Sequence, residues 1–86
     1  MDEQEDGLAQ DTLIEAVRNQ IQEKDPQETE QAYQRLVKDG YEPDEALRLI
    51  ALVLEDQVSA MLESNAPFDL PAYVKSLQLL PLLPDT

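Results

Sequence analysis

Residues 43–63 read PDEALRLIALVLEDQVSAMLE, and this stretch decides the fold of the chain. Between Ala46 and Leu54 the only polar residue is Arg48. A helix at a protein surface shows one apolar stripe, whereas a helix that is apolar nearly all round is covered on several sides. The stretch therefore predicts a long central helix, over residues 43–64, with neighbours on more than one side.

The central helix has two apolar faces and one polar side. One face consists of Leu47, Ile50, Ala51, Leu54, Val58, Met61 and Leu62. The other face consists of Leu49, Leu52, Val53 and Ala60. Gln57 interrupts the apolar band, and the polar side carries Arg48, Glu55, Asp56, Ser59 and Glu63. We therefore expect the helix to be most thoroughly buried in its first half and amphipathic in its second half.

Three shorter helices are predicted around the central one, over residues 8–24, 26–38 and 70–79. Each has apolar residues three and four positions apart, which is the spacing of a helix with one buried stripe. The predicted inward-facing residues are Leu13, Ile14, Val17 and Ile21, then Ala32, Tyr33, Leu36 and Val37, and finally Leu70, Tyr73, Val74 and Leu77. The sequence thus predicts an all-α fold, a small four-helix bundle with a long third helix.

Capping residues mark where two of the shorter helices begin. Asp25 is placed to cap the second helix, with Pro26 as its first helical residue. Asp69 is placed to cap the fourth helix, and Phe68 just before it can pack on Tyr73 one turn further in.

The start of the first helix and the ends of the second and third helices are predicted from Thr12, Gly40 and Asn65. The first helix has two alternative starts: Thr12, which has capping-box spacing to Glu15, or Leu8, which would leave Thr12 inside the helix. Gly40 is predicted to end the second helix and Asn65 the third, since both residues tolerate the left-handed conformation. The connections are therefore short, as expected for antiparallel neighbours.

The segment from Leu79 to Thr86 reads LLPLLPDT. Its prolines forbid a continuing helix. It nevertheless carries four leucines, Leu79, Leu80, Leu82 and Leu83. Two interpretations stay open: the tail lies across the bundle and completes its core, or it forms an exposed apolar strip that docks on another chain.

The charge of the chain excludes two classes of partner. Its 86 residues include 19 acidic and 6 basic side chains, which gives a formal net charge of −13. Binding to nucleic acid or to an anionic membrane surface needs cationic residues. We therefore expect neither of these as a partner. The acidity favours either simple solubility or a basic partner surface.

The length and the ends of the sequence predict one soluble domain. Residues 1–7, MDEQEDG, offer nothing to bury, so we expect a disordered acidic tail followed by a single helical domain over residues 8–86. The acidic start is unlike a signal peptide. The longest apolar run, over residues 46–54, has half the length of a membrane span. The chain has no cysteine, which fits a reducing compartment, and we expect a cytoplasmic protein.

Residue types that carry most catalysis are missing from the chain. It has neither histidine, the usual general base, nor cysteine, and its only glycines are Gly7 and Gly40, too few for a phosphate-binding loop. Carboxylates are plentiful, but neighbours such as Glu55 and Asp56 point about 100° apart on a helix and do not converge. We therefore predict no enzyme, no catalytic or metal-binding residues and no cofactor.

Several phrases of the sequence are similar to those of a known group. They are Asp25-Pro26-x-Glu28-Thr29, Tyr33-x-Arg35-Leu36, Gly40-Tyr41, Glu45-Ala46-x-x-Leu49-Ile50, and Phe68-Asp69-x-x-x-Tyr73 with Leu80-Pro81. Over residues 14–81 the chain resembles a group of short, uncharacterised bacterial all-helical proteins. More distantly, it resembles the C-terminal half of a longer bacterial domain of unknown function. The resemblance implies a small helical fold and a bacterial source, with no known activity and no site residues.

The function predicted from these observations is a small non-catalytic module for protein interaction. The expected partner is a protein, in the simplest version a second copy of the chain, because a symmetric homodimer hides apolar area that a monomer exposes. The candidate interaction surface consists of Leu49, Leu52, Val53, Leu79, Leu80, Leu82 and Leu83.

Two alternatives belong to other functional classes. One is an acidic mimic or antagonist of a nucleic-acid-binding protein, which needs carboxylates in a spaced row on one face. The carboxylates in question are Asp44, Glu45, Glu55, Asp56 and Glu63. The other is a ligand carrier or hydrolase, which needs a pocket with two converging carboxylates.

Overall fold

Residues 10–83 are described by a computed structural model, and they form four α-helices and no strand. The helices are α1 (Gln10–Glu23), α2 (Gln27–Lys38), α3 (Pro43–Ser64) and α4 (Leu70–Leu79). The predicted all-α bundle with a long third helix is confirmed. Thr12 lies inside α1. The acidic tail predicted over residues 1–7, and a helix start at Leu8, lie outside the described residues.

α3 is the central helix of the bundle. It packs against α1, α2 and α4, and α2 also packs against α1 and α4. The backbones of α1 and α4 do not come close, but a hydrogen bond between Tyr73 and Gln20 joins their side chains. Apolar side chains buried in the first half of α3 are Ala46, Leu47, Ile50, Ala51, Val53 and Leu54. The prediction that this helix has neighbours on more than one side, and is most deeply buried in its first half, is confirmed.

Each shorter helix covers α3 with one stripe, but two residues predicted to face inward from these helices, Val37 and Leu70, are wrong. The buried members of the stripes are Leu13, Val17, Ala32, Leu36, Tyr73 and Leu77. Val37, Leu62 and Leu70 are exposed. Thr29 rather than Val37 completes the buried stripe of α2. Leu62 lies in the last turn of α3 and Leu70 is the first residue of α4, where fewer neighbours remain to cover them.

α2 begins one residue later than predicted, because Asp25 belongs to the end of α1. The Asp25 N–H donates to the Gln20 carbonyl at 3.1 Å, and Lys24 adopts the left-handed conformation of a helix end, at φ 56°. Pro26 is consequently the N-cap, and no side-chain hydrogen bond caps this helix. The predicted role of Asp25 as a cap is therefore wrong.

Gly40 ends α2, as predicted, and has a φ of 109°. The Gly40 N–H donates to the Val37 carbonyl and the Tyr41 N–H donates to the Leu36 carbonyl, each at 3.0 Å. This pair of hydrogen bonds forms a Schellman motif, which requires a residue with positive φ at this position.

Replacing Gly40 with alanine is expected to lower the free energy of unfolding by about 1–2 kcal/mol, because an L side chain disfavours positive φ. A Cβ atom here would meet no atom within 4 Å, so the loss comes from the backbone alone. Denaturant unfolding measures the loss, and Gly40→Asn is the control because asparagine tolerates this conformation better. An alanine variant as stable as the wild type would contradict the assignment of this turn.

The turn between α3 and α4 forms as predicted. Asn65 adopts the left-handed conformation at φ 57° and ends α3. The Asp69 carboxylate caps α4 by accepting a hydrogen bond from the Ala72 N–H at 3.1 Å. The rings of Phe68 and Tyr73 meet edge to face, with centroids 5.4 Å apart. These contacts define the end of α3 and the start of α4.

Candidate interaction surface

The second half of α3 and the tail after α4 form the walls of an open groove of about 500 Å³. Its lining residues are Leu52, Glu55, Asp56, Ser59, Ala60, Glu63 and Leu83. Leu52 and Leu83 are 37% and 46% exposed, so the apolar part of the groove stays open to solvent. We call this feature the acidic groove.

Arg35 of α2 fixes the start of the tail. Its Nη2 atom donates to the Leu77 carbonyl at 3.2 Å and to the Leu80 carbonyl at 2.7 Å. Both carbonyls lie at the end of α4, where a helix leaves its last C=O groups without helical partners. Leu80 is buried, whereas Leu79, Leu82 and Leu83 are exposed. Leu80 therefore completes the core, as the first interpretation of the tail predicts, and the other three leucines form an exposed apolar strip whose docking on another chain stays a prediction.

Two of the seven predicted interaction residues, Val53 and Leu80, are buried in the core and are wrong as surface residues. Val53 lies about 100° from Leu52 around α3, which turns it toward the other helices. Leu80 is held by the hydrogen bond from Arg35 to its carbonyl. The residues that keep some exposure are Leu49, Leu52, Leu79, Leu82 and Leu83.

The carboxylates of α3 share its outer face. They belong to Asp44, Glu45, Glu55, Asp56 and Glu63, of which Asp56 is half-buried and the others are exposed. At about 100° per residue, these positions fall within an arc of about 120° around the helix. Glu45 and Glu63 lie about 27 Å apart along the axis, at about 1.5 Å per residue. The five carboxylates therefore form a spaced row along one face of α3, which Arg48 interrupts.

A second groove, of about 260 Å³, lies between the end of α3 and the start of α4. Gln57 lines it, is only 9% exposed, and makes no side-chain hydrogen bond with any other described residue. Ala60 lines both grooves, so they flank the last turns of α3 on adjacent sides. The residue that interrupts the apolar band is therefore a nearly buried amide without a partner in this part of the chain.

Replacing Gln57 with methionine is expected to raise the free energy of unfolding by about 1 kcal/mol, because its nearly buried amide has no hydrogen-bond partner among residues 10–83 and burying such a group is destabilising. Methionine keeps the unbranched shape and the helix propensity of glutamine. Thermal or urea unfolding measures the change, with the exposed Gln31→Met as the control. A loss of stability in Gln57→Met, with no change in the control, would show that the amide is satisfied.

Gln20, Thr29 and Tyr73 form a polar cluster between α1, α2 and α4, in which Thr29 and Tyr73 are buried and Gln20 is half-buried. The Gln20 Oε1 atom accepts hydrogen bonds from the Thr29 hydroxyl at 2.7 Å and from the Tyr73 hydroxyl at 2.8 Å. Sequence reasoning missed Gln20 and Thr29; the available signal was the position of Thr29 on the stripe of Ala32. Because both hydroxyls are satisfied, we assign this cluster to stability and not to a site. Burial raises the pKa of Tyr73, and its hydrogen bonds with Thr29 and Gln20 partly oppose that shift.

The raised pKa of Tyr73 gives a prediction for alkaline stability. As the pH rises, the unfolded chain releases this proton first, from about pH 10, so folding loses free energy from there up through the raised pKa of the folded chain. Tyr73→Phe is expected to remove this part of the alkaline decline, and to be about 1 kcal/mol less stable at neutral pH. Urea unfolding of both proteins between neutral pH and about pH 11 measures it. Parallel alkaline declines in the two proteins would contradict the prediction.

Metal-binding and membrane-spanning features were sought in the described part of the chain. Among residues 10–83, no group of three or more acidic side chains is placed to hold a metal ion. Within the same range, no helix is long and apolar enough to cross a membrane. No protein-family model, curated protein or solved structure matches this chain. The resemblance to short bacterial helical proteins therefore stays a prediction.

Proposed function

We propose that this chain is a small non-catalytic module for protein interaction. The observation that supports it is the acidic groove, whose Leu52 and Leu83 stay open although the chain has a buried core of its own. Apolar side chains grouped in a groove with a charged rim are typical of protein contact surfaces. The net charge of −13 favours a protein over nucleic acid or an anionic lipid surface.

The acidic groove does not suit general acid–base catalysis. Such catalysis uses a carboxyl group held away from water, so that it exchanges its proton near neutral pH. Glu55 and Glu63 are exposed and Asp56 is half-buried, so the three carboxylates keep much of their hydration. The chain also has no histidine to act as a base. These features support a binding role over a ligand carrier or hydrolase.

A second copy of the chain is the simplest partner in this proposal, because a symmetric dimer hides exposed leucines on both copies at once. The exposed leucines of the tail, Leu79 and Leu82, are available for such a contact. We further place the module in the cytoplasm, on its acidity and lack of cysteine, and in a bacterium, on the resemblance over residues 14–81.

Light scattering and affinity capture together test the proposal on three proteins: the wild type, Leu83→Ser and Leu62→Ser. Leu83 lines the acidic groove, whereas Leu62 is more exposed, at 78%, but does not line it. We expect a captured protein that is lost in Leu83→Ser and kept in Leu62→Ser. A dimer at micromolar concentration, formed through the tail leucines Leu79 and Leu82, would also support the proposal. A strict monomer that captures the same proteins in all three forms would contradict the proposal.

The row of carboxylates on α3 supports a second candidate, an acidic mimic that occupies a nucleic-acid-binding protein. Such a complex is held by charge, so salt would elute the partner and Leu83→Ser would leave it bound. The interaction module proposed first gives the opposite pattern, because loss of an apolar contact weakens it even at high salt. Elution by salt and by detergent therefore separates the two candidates.

A further inference from the structure

The acidic groove combines two kinds of surface that one ligand must match. Its apolar part consists of Leu52, Ala60 and Leu83. Three carboxylates also line it, those of Glu55, Asp56 and Glu63, and none of its seven lining residues is cationic. A ligand that buries the leucines also covers these carboxylates, so it must bring positive charge to replace the lost hydration.

The charge makes a second copy of the chain a poor occupant of this groove. A symmetric dimer through the acidic groove would bring six carboxylates together, three from each copy. Like charges placed opposite each other across an interface are strongly unfavourable. The described residue that could relieve this repulsion from the same face of α3 is Arg48, one turn before Leu52 and outside the groove lining.

The structure around the acidic groove favours a helical backbone in the ligand that binds there. The described residues contain no strand, so the groove offers no sheet edge for an extended peptide to join. A backbone that leaves water must satisfy its own N–H and C=O groups, which a helix does internally. Leu52 and Glu63 lie about 16 Å apart along α3, so the groove matches about three turns of a partner helix.

We infer that the acidic groove binds a cationic amphipathic helix supplied by another protein. The apolar stripe of that helix covers Leu52 and Leu83, while its Lys and Arg side chains reach the carboxylates along their aliphatic stems. This inference rests on the proposed interaction function and names the chemistry of the partner.

The test uses a fluorescent peptide of about four helical turns, with leucines three and four positions apart and Lys or Arg on both sides of the stripe. One control peptide replaces every Lys and Arg with Glu. A second control keeps the composition but carries a central proline, which breaks the helix. Fluorescence anisotropy measures binding to the full chain, and circular dichroism measures the helix gained by the peptide.

Matched variants of the protein separate the groove from general acidity. Glu55→Gln/Asp56→Asn/Glu63→Gln removes the charges of the groove. Glu15→Gln/Glu23→Gln/Asp25→Asn makes the same change in net charge at exposed positions outside the groove. We expect the first triple variant to raise the Kd about tenfold, and the second to raise it less than about threefold. Leu83→Ser is expected to raise the Kd about tenfold and Leu62→Ser to leave it unchanged.

The outcomes distinguish this inference from the proposed function on which it rests. Equal binding of the Glu peptide, equal weakening by both triple variants, or no effect of Leu83→Ser would overturn the cationic helix. If the cationic peptide fails to bind but self-association depends on Leu83, the interaction module stands and this inference fails. If no peptide binds and no association depends on Leu83, both fail.

Discussion

Replacing Ile50 with alanine is expected to lower the free energy of unfolding by about 3 kcal/mol, the usual loss for a fully buried aliphatic side chain. None of the surface of Ile50 is exposed, and α3 is packed against three other helices. The cavity left by the substitution therefore has little freedom to collapse. Since a chain of this size has a total stability on the order of 5–10 kcal/mol, the loss is large and measurable by urea unfolding.

Leu62 provides the control on the same helix. It is 78% exposed, so Leu62→Ala is expected to change the free energy of unfolding by less than about 0.5 kcal/mol. Comparable losses in the two variants would contradict the description of α3 as buried in its first half and open in its last turn.

Replacing Arg35 with methionine is expected to lower the free energy of unfolding by about 2 kcal/mol, because two hydrogen bonds from a charged donor are lost. The Leu80 carbonyl, 2.7 Å from Arg35 Nη2, would lose this partner at a nearly buried residue. Methionine keeps much of the aliphatic packing of the arginine stem, so the comparison isolates the guanidinium. Loss of this anchor is also expected to free Leu83 and weaken peptide binding in the acidic groove.

Two further variants complete the test of Arg35. Arg35→Lys keeps the charge but replaces a planar fork by a single ammonium, so we expect an intermediate loss. Arg48→Met removes an exposed arginine that makes no hydrogen bond with another described residue, and it should change stability by less than about 0.5 kcal/mol. A wild-type stability for Arg35→Met, with unchanged amide exchange at Leu80, would show that the tail is held by packing alone.

The parts of the fold that the sequence predicts are those set by local chemistry. The apolar run between Ala46 and Leu54 predicts a helix that is covered by neighbours on several sides. Gly40 and Asn65 end helices because a common way to close a helix end requires a residue with positive φ, and both residue types tolerate that conformation. Asp69 finds its partner three residues away, at the Ala72 N–H. Each of these interactions forms within one helical turn.

The features that the sequence does not predict depend on residues far apart along the chain. Arg35 donates to carbonyls 42 and 45 residues away, and Tyr73 donates to a side chain 53 residues away. Sequence spacing says nothing about such partners until the helices are packed. The predicted cap at Asp25 is wrong for a local reason: its residue type suits a cap, but its backbone N–H closes the end of α1 by donating to the Gln20 carbonyl.

The sequence indicates the leucines of the candidate site, but it does not predict the groove that they line. Leu52 and Leu83 are among the seven residues predicted for the interaction surface, because one lies on the second apolar face of the central helix and the other in the leucine-rich tail. That they line one groove depends on the path of the tail, which Arg35 determines. The sequence also gives no sign that Glu55 and Glu63 share a groove with Leu83, because this too depends on the path of the tail.

The most direct test of the acidic groove as the contact surface is a methyl-labelled NMR titration of the full chain with the cationic amphipathic peptide. We expect the methyl shifts of Leu52, Ala60 and Leu83 to change with peptide concentration, while those of Leu62 and Val37 stay constant. Leu62 and Val37 are exposed but do not line the groove, so they report contacts elsewhere. Shift changes at Leu62 or Val37, with none at Leu52 and Leu83, would contradict the assignment of this groove.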